Sequence, residues 1–257
     1  MDNKNSHTQS VSHQFSPNAH NYLTSKVHAQ GADLEKLATL LAPFSDAVVV
    51  DLGCGAGHAS FTAARFAKKV IAYDLSAEML AVVEHAATDK GLTNIEVQQG
   101  YAEVLPFADA SVDIVISRYS AHHWHDVGRA LREVRRILKP GGNVVMMDTC
   151  SPGHPVLDIY LQTVEKLRDT SHVRSYSTGE WLHMFNDAGL NIAQLSTDKL
   201  TLEFNSWVAR LKTPQHFVQA IRELQKVMSD EVTHYFAIQA DGTFETDTVF
   251  IEAGKSR

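Results

Sequence analysis

The sequence predicts an α/β fold: a doubly wound, mostly parallel sheet with helices on both faces and an antiparallel hairpin near the C-terminal end. Three observations lead there. Short apolar runs alternate with helical patterns five times between Val48 and Asp148. A glycine-rich turn, "DLGCGAGH", follows the first apolar run. The stretch "FAIQADGTFETDTVFIEAG" reads as two strands joined around Asp241-Gly242. Alternation of this kind calls for parallel strands linked by right-handed helical crossovers, and an Asp-Gly pair between alternating strands signals a hairpin.

Each element has its own justification. The first twenty residues are polar, rich in Ser, His and Asn and without periodicity, the composition of a mobile arm. Leu34, Leu37, Ala38 and Leu41 recur at helical spacing, and Pro43 stops that helix before the strand "VVVD" at Val48. His58 to Phe66 reads as the next helix, and "VIAYD" as a second strand ending on Asp74. Ser76 caps a third helix, whose Met79, Leu80, Val83 and Ala87 share one side and which ends at Gly91. Ile95, Val112 and Asn143 open three more strands. Between the last two, Val127, Leu131, Val134 and Leu138 make an amphipathic helix that Pro140-Gly141-Gly142 terminates. Further helices are expected at Pro155 to Arg168, around Thr178 to Ala188, and from Trp207 to Val227 with Pro214 interrupting.

Composition narrows the setting. The 257 residues are 44% hydrophobic and 21% charged with a net charge of -7, which suits a soluble globular chain with no electrostatic pull toward nucleic acid or anionic lipid. Two cysteines, Cys54 and Cys150, are too few for a disulfide framework or a Cys-rich zinc site. No apolar run reaches the roughly 18 residues that a membrane helix needs, and the start has no signal-peptide pattern. The expectation is a cytoplasmic protein.

The chemistry starts at the glycines. In an open parallel sheet, ligands bind beyond the carboxyl ends of the strands where the strand order reverses. Gly53, Gly55 and Gly57 permit positive φ there and let a ligand lie on the main chain at a helix N-terminus. Asp74 follows the loop by about 20 residues at the end of the second strand, from which a carboxylate reaches ribose hydroxyls. Together they specify an adenosine-type ligand. A nicotinamide dinucleotide calls for G-x-G-x-x-G, whereas this loop reads G-x-G-x-G; the Tyr-x-x-x-Lys at Tyr22 to Lys26 precedes the loop, the wrong order for a short-chain dehydrogenase.

"VVVDLGCGAGH", "VIAYDLSAEML", "GYAEVLPFADASVDIVISRYSAHHW" and "REVRRILKPGG" resemble, in order, the motifs of class I S-adenosylmethionine-dependent methyltransferases. Within that class the sequence is most similar to the type 11 branch, which includes the ubiquinone and menaquinone C-methyltransferases. The resemblance runs from about Val48 to Asp148. It implies the Rossmann-like, seven-stranded methyltransferase fold, S-adenosylmethionine as cofactor and S-adenosylhomocysteine as product. It also implies site roles. Asp51, Gly53, Cys54 and Gly55 line the methionine moiety, Asp74 takes both ribose hydroxyls, and Leu75 and Met79 pack on adenine. Ala102 and Glu103 meet the adenine edge, and Ser117 and Arg118 border the reacting methyl. The family usually carries Asp before Ala102; Tyr101 stands there, which puts the side-chain contact to the adenine amino group in question.

A sulfonium methyl is already activated, so the protein needs chiefly to align the acceptor and exclude water. A base enters only if the acceptor loses a proton. His122, His123 and Tyr22 are the candidates, with His20 and Lys26 nearby in the arm. Tyr22, Tyr119 and Trp124 are candidate pocket walls whose faces favour a cation. The cluster His122, His123, His125 also admits a zinc reading, opposed by the divergence of adjacent histidines and the lack of a second ligand cluster, and a plain helix-start or core reading. No resident metal is expected. Domain organisation follows as an arm or lid over 1–30 and one methyltransferase domain over 31–257, with lid-like insertions near 151–175 and 205–230. Their mixed aromatic and aliphatic content points to a small, partly apolar methyl acceptor, with no nucleic-acid or membrane partner. A binder of the cofactor without turnover, and a nicotinamide oxidoreductase, are the alternatives.

Overall fold

A computed structural model describes residues 6–15 and 31–256. In chain order the helices are α1 (His7–Phe15), α2 (Ala32–Leu41), α3 (His58–Ala64), α4 (Ala77–Asp89), α5 (Val127–Ile137), α6 (Pro155–Arg168), α7 (Thr178–Asp187), α8 (Phe204–Arg210), α9 (Gln215–Val227) and α10 (Asp230–Tyr235). The strands are β1 (Val48–Leu52), β2 (Lys69–Asp74), β3 (Ile95–Gln99), β4 (Val112–Arg118), β5 (Leu138–Cys150), β6 (Asn191–Leu202) and β7 (Phe244–Gly254). They form one seven-stranded sheet of order β3-β2-β1-β4-β5-β7-β6. The first five are parallel, and β7 runs antiparallel to both β5 and β6.

The strands are apolar on both sides because both sides are covered. Alternate residues point to opposite faces. Val50, Val115, Val144 and Met146 meet Leu131 and Val134 of α5 and Trp181 and Phe185 of α7. Val49, Ile114, Ile116 and Val145 meet Leu34, Leu37 and Leu41 of α2 and Ala59 and Ala63 of α3. A third core joins α6, α8 and α9 through Leu161, Trp207, Ile221 and Phe236. Those helices cap the carboxyl ends of the strands, the cap reaching the glycine loop where Leu211 packs with Ala56 and Met79.

Two expectations change. The antiparallel C-terminal pair is present, but its first arm is β6, not the residues before Asp241. Leu202 pairs with Phe244 and Asn191 with Gly254, while the stretch before Asp241 follows α10 and closes a tight turn, Gln239 N–H to the Thr243 carbonyl at 2.8 Å. As an edge strand with little buried surface, β6 lacks the clean alternation that marks a half-buried strand. The polar start also contains an ordered element: residues His7–Phe15 form a helix.

Candidate active site

The sheet order reverses between β1 and β4, and a cavity opens there, above their carboxyl ends. Its floor is the turn after β1. Gly53 has φ +70 and lies under Ser120, whose side chain a Cβ would strike. Gly55 has φ +51, and among the described residues nothing but its chain neighbours lies within 4 Å of the place a Cβ would occupy, so its missing side chain is cavity space. The Gly53 and Cys54 N–H groups donate to the Tyr73 carbonyl at 2.8 and 3.1 Å, tying the turn to the end of β2.

Asp74, at that end, is built into the same turn. One carboxylate oxygen accepts from Gly55 N–H and the other from Ser76 N–H, both at 2.8 Å. Asp74 lines the cavity. Two parallel acceptor positions suit a vicinal diol. Burial raises the Asp74 carboxyl above its usual range, while the N–H donors of Ser76 and Gly55 pull it back.

Of the residues expected at the cofactor, Gly53, Cys54, Gly55, Asp74, Leu75, Met79, Ala102, Glu103 and Arg118 line this cavity. Asp51 and Ser117 do not; both are buried behind it. Asp51 accepts a 2.6 Å hydrogen bond from the Ser60 hydroxyl, its other oxygen has no partner among the described residues, and burial pushes its carboxyl up to about 7. Cys54 is also buried, and burial holds its thiol well above the ordinary range, so it is not a nucleophile. One Glu103 oxygen accepts from the N–H groups of His125 and Asp126 at 2.9 and 3.2 Å, which fastens the 101–104 turn to the segment after β4. Tyr101 is 53% exposed. Arg118 is clamped by both oxygens of Asp33, from α2, at 2.5 and 3.1 Å.

The residue after Arg118 carries the backbone anomaly of the site. Tyr119 has φ +51, a strained value for a bulky side chain and one that gathers at functional sites. Its N–H donates to the Met147 carbonyl at 2.8 Å, and it borders the main cavity, a second of about 430 Å³ under α2, and a third of about 60 Å³ under α6 and α8. Trp124 Nε1 donates to Ser120 Oγ at 3.0 Å, and both line the main cavity.

His123 lies between the main and the smallest cavity, and His122 faces only the smallest. Their imidazoles are 4.2 Å apart, with His172 5.6 Å from His122. His122 Nδ1 is 2.5 Å from Asp148 Oδ1. Burial opposes its protonation, but the Asp148 carboxylate, helped by Glu165 and Asp169, leaves it raised. His123 and His172 go the other way, lowered first by burial and then by neighbouring histidine charge. Among the described residues no group of His, Cys, Asp and Glu is arranged to hold a metal ion. Tyr22, His20 and Lys26 fall outside the described residues.

The sequence left out α1, which lies across the mouth. His7 Nε2 is 2.9 Å from the His123 carbonyl oxygen, and Phe15 sits edge-on to the His123 ring at 4.8 Å. It also left out Asp148, although Asp148 gives the signal that Asp51 and Asp74 give, an acid at the end of an apolar strand.

Comparison with known proteins agrees with this geometry. A methyltransferase-domain family profile matches residues 50–146. YafE of Escherichia coli, a protein described only as uncharacterized, is 60% identical over 204 residues, 79% of this chain and 99% of its own length. The uncharacterized methyltransferase YcgJ of Bacillus subtilis is 38% identical over 224 residues, 87% of this chain and 88% of its own. Its crystal structure superposes with a TM-score of 0.84 over 88% of this chain and 99% of that one. The ubiquinone/menaquinone biosynthesis C-methyltransferase UbiE of Rubrivivax gelatinosus is 33% identical over 132 residues, 50% of this chain and 51% of its own.

Proposed function

The chain belongs to the class I S-adenosylmethionine-dependent methyltransferases, type 11 branch, and from that premise we propose that it methylates a small-molecule acceptor by in-line transfer in the cavity over β1 and β4. The observation that carries this reading is Asp74: a carboxylate at the cavity wall whose two oxygens are held side by side by the Gly55 and Ser76 N–H groups, the arrangement that a ribose diol would complement. Gly55 supports it, since a ligand can lie on the main chain where a Cβ would project.

Bound there, the cofactor supplies an electrophilic sulfonium methyl. The rest falls to the protein. The amino-acid end would lie over Gly53 and Gly55, beside Cys54 and in front of the buried Asp51; Leu75, Met79 and Ala102 would enclose the base, and Arg118 and Tyr119, with Ser117 buried behind them, would border the methyl. Glu103 holds the wall of the adenine site through the 125–126 amides rather than reaching the base itself. The α1 face with Phe15 covers the cavity, and exclusion of water favours transfer over hydrolysis. The acceptor enters from the side of the smallest cavity, which shares Phe15, Tyr119 and His123 with the cofactor cavity. There His122 is the candidate base, with His123 as a wall of the same passage. The test is release of S-adenosylhomocysteine across a panel of small metabolites with the purified chain. Binding of the cofactor with no turnover on any of them would favour a non-catalytic binder, the role to which Tyr101 in place of the family's Asp lends some support.

A further inference from the structure

Resting on the cofactor reading, we propose that Asp33 is a positioning residue that sets how the site weighs the two charge states of its cofactor. By neutralising Arg118, it admits the positively charged sulfonium of the methyl donor and keeps the neutral thioether product from binding in its place. Donor and product differ by one methyl group and the positive charge on sulfur. The net charge at that end of the cavity therefore governs the ratio of the two affinities.

The order of the cavity wall puts Arg118 at the sulfur end. From the β3 side to the β4 side the wall passes Tyr101 and Ala102, then Asp74, then Gly53 and Gly55, then Arg118 and Tyr119. With the ribose on Asp74 and the base against Leu75, Met79 and Ala102, the sulfur and its methyl extend toward β4. The Arg118 side chain there is 5% exposed, and a guanidinium keeps its proton in proteins. Left alone it would repel a second cation, and more strongly than in water because the site is screened from solvent.

Asp33 removes that repulsion. It sits in the first turn of α2, its side chain is 18% exposed, and its two oxygens accept from Arg118 Nε and Nη2 at 2.5 and 3.1 Å. A Cβ at Gly31 would displace Asp33 Oδ1 and come within 3.2 Å of Arg118 Nη2, so the glycine before α2 leaves the clamp its room. The clamped guanidinium lies 4.7 Å from the centroid of the Tyr119 ring, and one carboxylate thus fixes both residues at the end of the cavity. Two other acids are close but otherwise committed. Asp51 is pushed up to about 7 by burial, against the pull of Ser60 and Arg118, and is only partly ionised at neutral pH; Asp148 is engaged by His122. Asp33 borders the second cavity and not the cofactor cavity, so its influence on the cofactor passes through Arg118.

Calorimetric titration of the full chain with S-adenosylmethionine and with S-adenosylhomocysteine reads the ratio directly. In Asp33→Asn, which keeps the size of the side chain and one acceptor oxygen, S-adenosylmethionine is expected to weaken at least tenfold and S-adenosylhomocysteine less than threefold. Arg118→Met leaves Asp33 as an uncompensated anion. There the ratio is expected to move the other way, at least threefold toward S-adenosylmethionine, whatever both affinities lose in common. A loosened fold weakens the two ligands alike and leaves their ratio at the wild-type value, which is how a merely structural Asp33 would behave. Equal weakening of both ligands in Asp33→Asn overturns the proposal, as does an Arg118→Met ratio that is unchanged or moves in the same direction as that of Asp33→Asn. The sign in Arg118→Met decides alone if Asp33→Asn does not fold. Failure of the wild-type chain to bind either ligand refutes the cofactor reading instead.

Discussion

Replacing Asp74 by Asn separates two jobs that the residue holds. As a carboxylate it anchors the glycine loop through Gly55 N–H and Ser76 N–H at 2.8 Å each, and in the proposed complex it accepts from both ribose hydroxyls. An amide has one acceptor oxygen, so one backbone donor and one hydroxyl lose their partner. Hydrogen bonds to charged groups contribute about 1.5–3 kcal/mol each. Cofactor affinity should therefore fall roughly 10- to 150-fold, at about 1.36 kcal/mol per decade. Stability should change less. The anchoring bond is lost, but so is a buried charge whose carboxyl burial holds above its usual range. A net loss of about 1 kcal/mol lowers the melting temperature by roughly 2–4 °C in a chain of this size. Calorimetric titration with S-adenosylhomocysteine and thermal unfolding read the two effects separately. A lowered melting temperature with an unchanged dissociation constant would make Asp74 a loop anchor only and refute the ribose assignment.

Three further outcomes follow from the same geometry. Asp51 is raised to about 7 by burial, above the roughly 3.9 of an unfolded Asp. Its contribution to stability is therefore full below about pH 4 and lost as pH rises through about 7, by up to about 4 kcal/mol; urea unfolding at several pH values should show a shallower decline in Asp51→Asn, and an identical pH dependence would contradict the assignment. Gly57 caps α3 at φ +88, and a Cβ there would lie 2.9 Å from Phe61 and Val83. Gly57→Ala should cost about 1–3 kcal/mol in thermal unfolding, and an unshifted melting curve would show that the loop yields. Phe15→Ala removes the edge-on contact with His123, worth about 0.5–1.5 kcal/mol. S-adenosylhomocysteine binding should weaken roughly 2- to 12-fold with little change in melting temperature, and unaltered affinity would remove α1 from the cover of the site.

What the sequence disclosed follows the physics of each signal. The buried parallel strands show as apolar runs, and the loop that must bend at Gly53 and Gly55 shows as glycines, so sheet, switch point and cavity floor could all be read. Asp74 was legible because it ends a strand. Asp148 ends one too, but its partner His122 lies 26 residues away and only the fold brings them together. Glu165 sits in the middle of an amphipathic helix, where a charge looks like solvated surface; only the cap of α8 and α9 shows that it is buried. The edge strand β6 and the helix α1 carry weak patterns because little of either is buried. The turn at Asp241-Gly242 is real, yet local turn chemistry does not say which strand will lie beside β7.

The central claim is that the cavity over Gly53, Gly55 and Asp74 holds the methyl donor. Calorimetric titration of the purified chain with S-adenosylhomocysteine tests it most directly. One saturable site per chain, with no heat from NAD, is the result expected; no heat from S-adenosylhomocysteine or S-adenosylmethionine would contradict it.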